Sequence, residues 1–147
     1  MLDIRVIREQ PEAVTQALAT VGVAPSQVEA VLAADARRRA LLTEVERMRN
    51  QRATTSKTVG ALAAGERGRV VAAMRALGER IAATEQAVAA AEAAFEAALY
   101  ELPNLPHPDV PVGPDERANV VVREVGAAPL FAFAPQPHWD LGPALGI

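Results

Sequence analysis

The run LLTEVERMRNQRATTSKTVGAL, residues 41–62, decides the fold once it is set beside VVAAMRALGERIAATEQAVAAAEAAFEAA, residues 70–98. In the first, Leu41, Val45, Met48, Arg52, Thr55, Val59 and Leu62 recur at alternating steps of four and three residues. In the second, Val70, Met74, Leu77, Ile81, Thr84, Val88, Ala91, Phe95 and Ala98 do the same. A strand would repeat every second residue, whereas this spacing is the a/d seam of a coiled coil. The expected fold is all-α: a long antiparallel two-helix hairpin over residues 27–101.

The two seams fit each other. With a reversal near Glu66, in a turn near residues 63–69, Leu62 faces Val70, Val59 faces Met74, Val45 faces Val88 and Leu41 faces Ala91. Short connections favour antiparallel neighbours. Gly60, Gly65 and Gly68 are candidate breakers, because glycine can adopt the left-handed conformation that ends a helix. A helix from Val28 to Leu62 would run about 50 Å at ~1.5 Å per residue, the length of a projecting arm.

Of the 147 residues, 50% are hydrophobic but only 3% aromatic, and alanine dominates the return helix. An alanine-rich seam buries little area per residue, so the arm is expected to be only modestly stable alone. The chain has no cysteine, which excludes disulfides and thiolate metal sites. No apolar run approaches the ~20 residues of a membrane span. The start, MLDIRVIREQ, carries charges where a signal peptide needs an apolar core. The expectation is a soluble, cytoplasmic protein.

The net charge of −3 conceals an asymmetry. Residues 37–80 hold eleven basic and four acidic side chains, a balance of +7, and the remainder stands at −10. A basic patch on an acidic protein is the electrostatic footprint of a nucleic-acid binder.

Around the hairpin, Met1–Thr20 reads as two short helices at its base, with Asp3 as N-cap of the first and Pro11 in the first turn of the second. Ser26 is the candidate cap of the long helix, and Val28, Val31 and Leu32 are expected to meet the N-terminal helices. From Leu102, LPNLPHPDVPVGP places five prolines in thirteen residues and cannot continue a helix. Residues 102–118 read as a semi-rigid linker. Asn119–Val125, NVVVREV, reads as a short β segment, Phe131 and Phe133 fall in a second extended piece, and HWDLG opens a short helix in which Trp139 packs and Asp140 caps. These last residues are too few to form a core, so a larger domain is expected to follow.

Four segments together resemble the N-terminal part of a bacterial-type seryl-tRNA synthetase. They are MLDIRVIREQPEAV (1–14), LLTEVERMRNQRATTSKTVG (41–60), LPNLPHPDVPVG (102–113) and PQPHWDLG (135–142). The resemblance covers essentially the whole chain, in family order and spacing. It implies that residues 1–101 are a tRNA-binding arm that grips the long variable arm and elbow of tRNA(Ser), across a homodimer in the full-length enzyme. It further implies that 119–147 begin a class II catalytic domain, which attaches serine to the tRNA 3′ end with ATP and Mg²⁺. The motifs that bind ATP and serine would lie beyond Ile147, so this chain is expected to need no cofactor and to bind without catalysing.

Candidate RNA contacts are the cations toward the tip: Arg47, Arg49, Arg52, Lys57, Arg67, Arg69 and Arg75. Fourteen of the fifteen basic residues are Arg, whose planar fork of donors matches phosphate. They do not fall on one stripe. Arg52 occupies a seam position where its stem can lie along Ile81, and Arg38 faces Phe95 at cation–π spacing. His107 and His138 lack a spaced partner for a metal site, and the glycines near the turn lack the context of a phosphate loop. Helical hairpins also serve as scaffolds or chaperone tentacles, but a protein-binding tip should expose apolar residues, and GALAAGERGR (60–69) offers glycine and arginine. A synthetase paralogue with a changed substrate is a third reading, which the retained arm disfavours.

Overall fold

The computed structural model describes residues 2–147, and every regular element in it is helical. Helix α1 (Ile4–Glu9) and α2 (Pro11–Ala19) precede the long α3 (Pro25–Thr58). A 3₁₀ turn at Val59–Ala61 leads into α4 (Ala64–Tyr100), which returns along α3. A second 3₁₀ turn (Glu116–Ala118) and α5 (His138–Leu145) follow.

Local chemistry explains the starts. Asp3 caps α1, its carboxylate accepting from the Arg5 backbone N–H at 2.8 Å. Pro11 opens α2 at a position where its missing N–H is not needed. Helix α3 begins one residue before the expected cap. Pro25 presets the helical φ and lacks an N–H, so Ala24 becomes the N-cap and Ser26 lies inside the first turn. The Gln27 side chain closes the end by accepting from the Ala24 N–H at 3.0 Å.

The seam forms as its spacing predicts. Val45, Met48, Leu77, Ile81, Ala91 and Phe95 are buried, and the other seam residues are half-buried, with the exception of Arg52, which is exposed. Thr84, a polar residue on the seam, satisfies its hydroxyl by donating to the Arg80 carbonyl at 2.9 Å. Two ion pairs flank the seam, Arg49 with Glu85 at 2.7 Å on one side and Arg80 with Glu44 at 4.0 Å on the other. They join e to e and g to g positions, the pairing expected of antiparallel coiled helices.

The reversal differs from the sequence expectation. It occupies residues 59–63, and Gly65 and Gly68 are ordinary helical residues of α4 rather than breakers. A 3₁₀ turn can end a helix without a left-handed glycine, and the extended Leu62 and Ala63 then carry the chain across. The core sits at the opposite end. Leu2, Ile7, Val14, Leu18, Val28, Val31, Phe95, Leu99 and Leu102 form one cluster, with Leu32 and Leu105 against it. The linker's first residues thus seal the base. A smaller cluster of Met48, Leu77 and Ile81 holds the middle of the arm, and no residue from Arg49 to Ala76 is fully buried.

The segment Asn119–Val125 is the clearest correction. It forms no strand, and Val120, Val121, Val122 and Val125 are exposed, Val122 at 97%. A strand needs a ladder partner, and none of the described residues lies beside it. Phe131 and Phe133 stand at a bend with their rings 5.2 Å apart, not in an extended piece. His138 begins a real short helix, as expected, but Trp139 is exposed and touches the His138 ring rather than packing on a core, and Asp140 lies inside the first turn while Pro137 holds the cap position.

Candidate nucleic-acid interface

The seven cations singled out by sequence all lie on the outer part of the hairpin and all are exposed, but they do different work there. Arg47, Lys57, Arg69 and Arg75 are exposed and make no salt bridge or side-chain hydrogen bond with any described residue. Arg49 is held by Glu85 at 2.7 Å. Arg52 lays its guanidinium against Gly78, one turn short of Ile81. Arg67 turns inward. It donates to the Gly60 and Leu62 carbonyls, each at 3.0 Å, and so closes the acceptors exposed where the chain reverses.

The fold places these groups on both flanks of the rod rather than on one face. Arg47 follows Glu44 by three residues and shares the flank on which Glu44 pairs with Arg80. Arg49 marks the opposite flank with Glu85. Arg75 borders a shallow exposed groove with Gly68, Val71, Ala72, Ala76 and Glu79. The tip itself is poor in apolar surface, with Val71 its one large exposed hydrophobic residue.

Toward the root, the arginines serve the fold. Arg38 stacks on Phe95 with its guanidinium carbon 4.8 Å from the ring centroid, the contact expected from sequence. Arg38 and Arg39 both bond Asp35, at 3.2 and 2.9 Å, and Arg8 reaches it at 3.8 Å. Sequence reasoning does not single out Asp35. Its signal is the string DARRR at 35–39, an acid with arginines three and four residues on, where helical neighbours meet. Among the described residues, no group of three or more His, Asp or Glu could hold a metal ion.

The class these features define is a two-helix coiled-coil arm on a small helical base, with a cationic outer half. The family model for the seryl-tRNA synthetase N-terminal domain matches residues 1–106, and the chain belongs to that family. It is 56% identical over its whole length to a serine–tRNA ligase of Roseiflexus castenholzii, and 49% and 47% identical to those of Thermomicrobium roseum and Chloroflexus aurantiacus. It spans 33–35% of the length of these curated relatives. Among the described residues, no helix is long and apolar enough to cross a membrane.

Proposed function

We propose that residues 1–101 are the tRNA-binding arm of a serine–tRNA ligase, which grips the long variable arm and elbow of tRNA(Ser). Residues 102–118 then serve as the linker, and 119–147 as the entry to a class II catalytic domain. That domain would attach serine to the tRNA 3′ end with ATP and Mg²⁺, in a cytoplasmic homodimer whose arms reach across to the partner's site. On this reading the chain alone binds and does not catalyse.

The observation that carries the reading is the pairing of shape with charge. A hairpin whose outgoing helix has 34 residues, about 50 Å long, bears a +7 balance between residues 37 and 80, away from an acidic base. A-form RNA hides its base edges in a deep, narrow groove, so a protein reads it by shape and backbone. A stiff rod with arginines on both flanks suits two phosphate strands that pass on either side. Arg47, Lys57, Arg69 and Arg75 are the leading contacts, because their donors are free. Arg49 can swing out from its exposed partner Glu85, since a surface ion pair is worth only ~0–1 kcal/mol, and Arg52 is held by no ion pair among the described residues. Arg67 joins them with one face of its fork already engaged.

Gel-shift titration against tRNA with and without a long variable arm, at two salt concentrations, tests the proposal. The expected result is tighter binding of the long-armed tRNA and a steep loss of affinity with salt. Equal affinity for both RNAs would remove the claim of shape selectivity.

A further inference from the structure

The root of the arm contains a buried charge that the RNA-binding reading does not use. Asp35 is 1% exposed, on the first third of α3. Its carboxylate accepts from Arg39 Nε at 2.9 Å and from an Arg38 terminal nitrogen at 3.2 Å, and Arg8 Nε of α1 stands 3.8 Å away. Arg38 in turn lies over the Phe95 ring of α4 and comes within 4.0 Å of Glu92. One carboxylate therefore links α1, α3 and α4. The Arg38 Nε is buried with no hydrogen-bond partner, so even this cluster is not fully satisfied.

An apolar side chain could fill the same space without that penalty, since buried ion pairs often stabilise no better than hydrophobic residues of similar size. What the charged cluster adds is direction. The surrounding contacts of Ile7, Val31 and Phe95 resist separation but tolerate sliding, whereas the Arg8–Asp35 ion pair between α1 and α3 weakens as its 3.8 Å separation grows, and Arg38 and Arg39 of α3 itself hold the carboxylate in place to receive it. We propose that Asp35 is a positioning residue that fixes the angle at which the arm leaves its base. Leverage makes this matter. The tip of α3 lies about 35 Å beyond Asp35, so a tilt of roughly 10° at the root moves it by about 6 Å, twice the reach of a hydrogen bond.

The chain has no cysteine, so spin labels can be placed at will. Labels at Ala13→Cys on α2 and Thr54→Cys near the tip report the angle, and Thr54→Cys with Gln86→Cys reports the hairpin alone. All three positions are exposed. In Asp35→Asn the base-to-tip distance distribution should broaden about twofold while the hairpin distribution stays narrow. Arg8→Gln removes only the tie to α1, through a side chain that already meets solvent, and should broaden the base-to-tip distance in the same way. If Asp35→Asn loses helicity, the Arg8→Gln distances decide. Unchanged widths, or hairpin and base-to-tip distances that broaden together, overturn the proposal. The measurement uses no RNA, so its outcome is independent of the tRNA reading.

Discussion

Arg67 shows how far a side chain's role depends on what the fold places beside it. By sequence it is one more cation near the tip. In the structure it donates to the Gly60 and Leu62 carbonyls and closes the reversal. Arg67→Ala should destabilise the hairpin by about 1 kcal/mol, the net worth of such bonds, with faster amide exchange confined to the residues around the 3₁₀ turn. Exchange that is unchanged there would assign Arg67 to solvent. Asp3 gives a second residue-scale test. The Arg5 side chain and backbone N–H bonded to it hold its carboxyl below the usual carboxylate range, and Arg5 is shifted upward in return. The folded pKa lies below the unfolded one, so the cap's contribution is fully present above about pH 4 and fades as pH falls through the depressed value. A carboxyl titration followed by NMR should place Asp3 below the ordinary aspartate value, and Arg5→Ala should raise it. Such pairings are only partly legible in sequence. Arg38 over Phe95 follows from facing positions on two helices, but Asp35 lies at the edge of the seam, and only its burial by α1 gives it meaning.

At the scale of elements, the hairpin was legible because a long periodic seam leaves few alternatives. Its partner residues confirm one another across the turn, and the structure buries or half-buries all of them except Arg52. The turn was less legible, since glycine can break a helix or ride inside one. Gly68 rides inside, with nothing within 4 Å of the position its Cβ would take. Gly68→Ala should therefore stabilise the hairpin by about 0.5–1 kcal/mol in urea unfolding, because alanine leaves the unfolded chain less freedom. Destabilisation would mean that the helix does not extend to that residue. The segment at 119–125 departs from expectation for a different reason. Its valines have strand propensity, but propensity expresses fit to a half-buried pleated surface, and no such surface stands next to them.

Across the whole molecule, stability and charge run in opposite directions along the rod. The base holds the large apolar cluster and the acidic residues, while the outer part, from Arg49 to Ala76, has no fully buried side chain and carries Lys57, Arg69 and Arg75, with Arg47 just inside it. With fewer buried contacts outward, the turn end of the hairpin should exchange its amides faster than the base. The charge asymmetry was visible in the sequence, and the free and engaged arginines within it were not, because that distinction rests on Glu85, Gly78 and two backbone carbonyls brought close by folding. The most direct test is the salt dependence of tRNA(Ser) binding by the wild type and by the fourfold variant Arg47→Ala, Lys57→Ala, Arg69→Ala, Arg75→Ala. Taking one cation off a phosphate should flatten the slope of log affinity against log salt by about one unit, so the variant should be roughly four units shallower. A variant with the wild-type slope would show that these four cations do not touch the phosphates.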